Sequence, residues 1–273
     1  TFPGLERAVW ISDSAVIFQN IDQEKTENFL VSFATTSVDQ QVRSRPLSNF
    51  SSVIAEPNLQ LMIQTRRAGG NTTISVSNYD ETTKDTVFTS PMRSWRAFPA
   101  GADVLIETIP SDGLGFLYRI LGGGELEKIV GNVPGLMATP RADGEYIAVS
   151  SINGASSRLS FVDADGVFVG ASPVSTFAEK CAWFAGEEPR VACGVPQSIA
   201  NTSIDSWYMG LQTFSDSAWV INPQQETGTY IKNLETEAGR PIDIIDPQVS
   251  PDGRYFIFKN KNDLSLWSLD LSR

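Results

Sequence analysis

Histidine is absent from the 273-residue sequence. That removes the commonest general base, the Ser-His-Asp and Cys-His nucleophile systems and nearly all catalytic zinc sites. Carboxylates remain as the available acid–base groups. Basic residues are outnumbered: 21 Lys and Arg stand against 32 Asp and Glu, a formal net charge of −11. Neutralising phosphate needs a basic surface, so nucleic acid is excluded as an expected partner; docking onto anionic lipid is disfavoured for the same reason. No run of about 18 apolar residues occurs. The opening TFPGLERAVW also lacks the charged-then-apolar layout of a signal segment. This segment is therefore not expected to enter a membrane itself, while an export or anchor segment upstream of it is compatible with the sequence. Long amphipathic helical patterns are missing as well.

Short runs of period-two alternation take their place, among them AVIFQNI, LQLMIQT, VLIETI, EYIAVS and RYFIFKN. Clusters of Gly, Asp, Asn, Ser and Pro separate them, which is the pattern of an all-β chain. Aligning these runs exposes a repeat. The element ahead of each strand holds Trp10, Val53, Trp95, Ala138 and Trp183, spaced 43, 42, 43 and 45 residues apart. The next equivalent, near Gln248, comes 65 residues after Trp183, so the fifth unit carries an insertion, placed at residues 197–216. A period in the forties with four strands per unit marks a β-propeller. A lone four-stranded blade exposes two apolar faces, and stacking blades buries both.

The expected organisation is a single propeller domain over 1–273 with blades at about 6–48, 49–92, 93–134, 135–177, 178–242 and 243–273. The last unit has room for three strands only. Either residues 1–5, TFPGL, supply the closing strand of six four-stranded blades, or a seventh blade lies upstream in the natural protein.

Few motifs carry chemistry. In the turn Ser250-Pro251-Asp252-Gly253 and its degenerate copy around Asp143, the aspartate is expected to shape the backbone rather than to react. Gly122-Gly123-Gly124 sits between two strands, whereas a phosphate-cradling loop needs a strand, then a helix. The acids Glu235, Glu237, Asp243 and Asp246, with a looser group of Asp103, Glu107 and Asp112, could form a glycosidase pair or hold calcium, or simply make a solvated acidic face. Cys181 and Cys193 are the only cysteines. A hairpin turning on Gly186, Glu187 and Glu188 sets them opposite each other, within reach of a disulfide. The alternative is two buried free thiols. A disulfide would place the domain outside the cytoplasm. The insertion concentrates Trp207, Tyr208, Met209 and Phe214 among polar residues. These four are the candidate partner-binding anchors; alternatively they fold back to plug the propeller or cap a neighbouring blade.

The stretch SPDGRYFIFKNKNDLSLWSLDL resembles the Pro-Asp-Gly repeat of TolB-like and WD-repeat propellers. Together with EKCAWF, RVACGVP and DSWYMGLQTFSDSAWVI, it is most similar to a family of bacterial extracytoplasmic propellers frequent in candidate phyla. The resemblance implies an N-terminal membrane anchor ahead of the propeller, one further blade upstream, and no particular reaction.

The expected function is a non-catalytic binding or scaffold module of the cell envelope, periplasmic or at the cell surface. Protein or envelope components are its expected partners, and no cofactor, metal or catalytic residue is assigned. The alternative is a carbohydrate-active hydrolase or lyase using paired carboxylates at the propeller channel.

Overall fold

The computed structural model describes every residue except 1–4, 13, 23–24, 36–39, 57–58, 93, 154–155, 200–201 and 273. The described residues form six sheets, each an up-and-down meander in chain order. The first holds β1 (Leu5–Ser12), β2 (Ala15–Asp22), β3 (Lys25–Thr35) and β4 (Gln40–Leu47). The second holds β5 (Ser52–Glu56), β6 (Leu61–Ala68), β7 (Asn71–Asn78) and β8 (Lys84–Ser90). The third is β9 (Trp95–Ala100), β10 (Asp103–Thr108), β11 (Leu114–Ile120) and β12 (Leu126–Pro134). The fourth is β13 (Met137–Pro140), β14 (Tyr146–Asn153), β15 (Ser156–Asp163) and β16 (Phe168–Ala171). The fifth is β17 (Cys181–Trp183), β18 (Val191–Pro196), β19 (Asp216–Asn222) and β20 (Thr227–Asn233). The sixth has three strands, β21 (Ile244–Val249), β22 (Tyr255–Asn260) and β23 (Leu266–Asp270).

This is the six-bladed β-propeller the repeat predicts. Trp10, Val53, Trp95, Ala138 and Trp183 each fall on the first strand of their sheet, and Gln248 falls on β21. The segment expected to close the last blade lies outside the described residues up to Gly4, and Leu5 opens β1. Among the described residues two short α-helices interrupt the strands, α1 (Ile204–Tyr208) and α2 (Leu234–Ala238). No helix among the described residues is long and apolar enough to cross a membrane.

Two compact units emerge. The first comprises residues 1–99, 104–106 and 119–127. Its core packs Ile11 and Ile17 with Phe50, Val53 and Met62. The second comprises residues 100–103, 107–118 and 128–273. It contains two apolar clusters, one around Phe161, Phe177, Trp207 and Phe214, the other around Ile244, Phe256 and Phe258. Alternation explains the second cluster: on β22, Phe256 and Phe258 point inward, while Lys259 is exposed. Each such ring stabilises the fold by about 1.5–3 kcal/mol on burial.

The turns behave as their composition suggests. Asp143 Oδ1 accepts the Glu145 N–H at 3.0 Å and Asp252 Oδ1 accepts the Arg254 N–H at 3.1 Å, so both aspartates stand in for backbone partners. Gly144 takes φ +80, and a Cβ there would sit 2.7 Å from the Ala100 carbonyl oxygen, so only glycine fits. Gly122–Gly124 form a single 3-10 turn between β11 and β12, with no helix behind them.

Candidate functional site

The β17–β18 hairpin pairs Trp183 with Val191, Ala182 with Ala192 and Cys181 with Cys193. The cysteines form a disulfide with Cα atoms 4.1 Å apart, the spacing of a close antiparallel pair. This is the register the turn predicts, and among the described residues no cysteine is free.

Residues 197–216 form the connection from β18 to β19, which pair at its base through Pro196 and Asp216. Within it Ser203 caps α1, its Oγ accepting the Ser206 N–H at 3.0 Å. Asp112 completes the cap: its carboxylate accepts the Ser203 hydroxyl at 2.7 Å and the Ile204 N–H at 2.6 Å. A carboxylate at a helix start satisfies orphan donors and favours the dipole. Ile204 and Trp207 face inward.

The four aromatic and methionine residues expected as partner anchors divide. Trp207 is 2% exposed and Phe214 6%, both packed on Phe177 with ring centroids 5.7 and 5.4 Å from it. On α1 the i, i+3 spacing puts Trp207 on the same buried face as Ile204, and the Phe214 N–H is bonded to buried Asp243. They fold back into the core instead. Tyr208 and Met209 are 42% and 66% exposed, and Leu211, which sequence reasoning passed over, is 76% exposed. The Tyr208 hydroxyl donates to Glu179, which fixes the ring at the surface.

Beneath this turn lies a polar centre that the sequence did not reveal. Lys180, Asp216 and Asp243 are completely buried. Lys180 Nζ donates to Asp216 Oδ2 at 2.6 Å, to Asp243 Oδ1, and to the Ile244 carbonyl at 3.3 Å. Its ammonium lies 5.4 Å from the Trp207 ring centre and 5.3 Å from that of Phe214. Asp243 also accepts the Trp207 Nε1–H at 3.0 Å and the Phe214 N–H at 3.1 Å. Asp216 Oδ2 accepts the Ile244 N–H at 2.7 Å, whereas its Oδ1 has no hydrogen-bond partner among the described residues. Burial pushes the Asp216 carboxyl up to about 6 against the attraction of Lys180. Removing charges from water is costly, and this cluster offsets the cost by donating to nearly every oxygen. It also ties the insertion down, since two of the Asp243 donors belong to Trp207 and Phe214.

The other acids have structural partners. Glu235 accepts the Ser215 hydroxyl at 2.7 Å, Glu237 pairs with Lys232 at 3.2 Å, and Asp246 pairs with Lys259 at 2.9 Å. Buried Glu107 accepts the Ala138 N–H at 2.9 Å, and Asp103 is exposed. Asp243 meets a second carboxylate, Asp216, across Lys180, and both are fully buried. Among the described residues, no three acidic or cysteine side chains gather where they could hold a metal ion.

In the first unit a cavity of about 360 Å³ is lined by Ser48, Gln64, Arg66 and Lys84. At its side Glu81 accepts from Ser48 N at 2.7 Å, from the Ser48 hydroxyl, from Gln64 Nε2 at 2.7 Å and from Lys84 Nζ at 3.2 Å. Partial burial works against ionisation of Glu81, but the hydrogen bonds from Ser48, Gln64 and Lys84 hold its carboxyl down at about 2.

No protein-family model and no curated protein sequence matches the chain. Solved structures do match. The tricorn protease aligns over 98% of this chain and 29% of its own, at 9% identity and a TM-score of 0.62. The β-propeller domain of the trilobed protease from Pyrococcus furiosus aligns over 100% of this chain and 83% of its own, at 13% identity and a TM-score of 0.58. What they share is the β-propeller. TolB from Acinetobacter baumannii aligns over 81% of this chain at 10% identity and a TM-score of 0.49. The chain spans about half the length of TolB, 52%, and less than a third of the tricorn protease. At such identities the likeness concerns fold alone, and function must be argued from the site.

Proposed function

We propose that the chain is a single propeller domain that works outside the cytoplasm as a non-catalytic binding or scaffold module of the cell envelope. Its partner is a protein held at the insertion. The observation that carries this reading is the contrast within one turn. Tyr208, Met209 and Leu211 stand exposed, while Trp207 and Phe214, beside them in sequence, are locked into the core. Large apolar side chains on a rigid base lose little conformational freedom on binding, which favours affinity. The acidic surroundings, Asp205 and Glu179 among them, suit a partner segment that flanks its apolar residues with basic ones. The Cys181–Cys193 disulfide supports an oxidising compartment. A carbohydrate-active role would need two carboxylates facing a substrate, and the pair that meets here is buried around a lysine.

The test is affinity capture from envelope extract with wild type and with the triple variant Tyr208→Ser, Met209→Ser, Leu211→Ser. The variant should fold like wild type and lose the captured partner. An unchanged set of partners would reject the insertion as the binding surface.

A further inference from the structure

Lysine is seldom buried completely, and a buried lysine held between two buried carboxylates is an arrangement with chemical consequences. Lys180 Nζ sits 2.6 Å from Asp216 Oδ2, bonds to Asp243 Oδ1 as well, and is flanked by the rings of Trp207 and Phe214. All three charged groups are fully buried. In water an amine and a carboxylic acid do not condense, because both are ionised and strongly solvated. In a dry, aromatic-walled site, solvation of the ion pair is lost, and the neutral amine and neutral acid become accessible. Fixed contact between the two groups also replaces the encounter of separate reactants, an advantage that reaches effective concentrations of about 10⁵–10⁸ M in well-oriented systems.

We propose that Lys180 and Asp216 are joined by an intramolecular isopeptide bond, formed without any enzyme other than the chain itself, with Asp243 as general base and acid. The two aspartates are not equivalent. Asp243 accepts from Trp207 Nε1, from Phe214 N and from Lys180, so both of its oxygens are engaged. Asp216 leaves Oδ1 without a partner among the described residues, and burial raises its affinity for a proton. Asp216 is therefore the electrophile.

The reaction begins with transfer of a proton from the Lys180 ammonium to Asp216 Oδ2, the oxygen it is bonded to at 2.6 Å. The neutral amine attacks Asp216 Cγ, and charge develops on Oδ1. Asp243, bonded to the nitrogen through its Oδ1, takes the second proton from it and delivers it to Asp216 Oδ2. The Cγ–Oδ2 bond breaks, one water leaves with that oxygen, and the Cγ–N bond and the Oδ1 carbonyl remain. Ammonium and carboxylate thus become amide and water, with no oxidant, reductant or cofactor. The cross-link would clamp the start of the fifth sheet to the base of the insertion.

Intact mass of the purified full chain under reducing conditions decides the matter. The expected mass is one water below that of the sequence, trypsin should fail to cut after Lys180, and fragmentation should show a branched peptide joining the segments around residues 180 and 216. Asp216→Asn should lose ammonia in place of water, and Lys180→Arg and Asp243→Ala should have their full calculated masses. A wild-type chain at full mass, cut by trypsin after Lys180, overturns the proposal regardless of how the variants fold. A water loss that survives Asp216→Ala overturns the assignment of Asp216 as the electrophile.

Discussion

Replacing Trp207 by alanine tests whether the insertion is anchored by its aromatic floor. The indole is 2% exposed and packs on Phe177 at 5.7 Å. Its Nε1–H donates to both oxygens of Asp243, at 3.0 and 3.3 Å. Truncating a buried tryptophan to alanine costs about 3–5 kcal/mol through lost transfer energy and the cavity left behind. Leaving a buried carboxylate one donor short adds about 1–3 kcal/mol. Even the lower figure is a large fraction of the roughly 5–15 kcal/mol by which folded domains are stable. Trp207→Phe separates the two effects, since it keeps most of the ring and removes only the donor; its cost should be about 1–3 kcal/mol. The neighbouring exposed substitution Met209→Ser should stay within about 0.5 kcal/mol of wild type. Urea titration followed by circular dichroism reads all three as shifts in midpoint. A Trp207→Ala loss below about 1 kcal/mol would refute the idea that this ring holds the insertion in place.

The disulfide closes a short loop, with a sequence separation of 12. The Cys181→Ala, Cys193→Ala double variant should lose about 2–3 kcal/mol in the same titration, and alkylation of wild type without reductant should label no thiol. For Glu81 the sign follows from its depressed carboxyl. The folded state holds the proton less well than the unfolded chain, so the Ser48–Gln64–Lys84 contacts stabilise above the ordinary value of 4.5, and that contribution is lost as pH falls towards about 2. Glu81→Gln should flatten the fall in melting temperature across that acid window. A variant with the wild-type acid slope would dissociate Glu81 from the effect.

Much of the architecture could be read from the chain. Period-two alternation located the strands because a sheet with one buried face records its geometry in every second residue. The spacing of Trp10, Val53, Trp95, Ala138 and Trp183 located the blades, since each of these residues occupies the first strand of its sheet. The Cys181–Cys193 pairing was legible because a hairpin turn sets register over a few residues. The candidate site was less legible. Apolar character marked out Trp207, Tyr208, Met209 and Phe214 alike, but which face of α1 is buried depends on what lies beneath it. Leu211 escaped notice because a single leucine after Gly210 carries no pattern of its own.

The sequence by itself therefore determined an all-β repeat, the place of its insertion and the match of its two cysteines. Each depends on interactions between residues near one another along the chain, where turn chemistry and side-chain alternation act directly. Only the tertiary structure decided the Lys180–Asp216–Asp243 centre. Its members are 36 and 63 residues apart, and no local preference couples them. They meet because the 3-10 turn ahead of β17, the start of β19 and the residue ahead of β21 are buried together, and a charge buried at that place is tolerable only beside an opposite one.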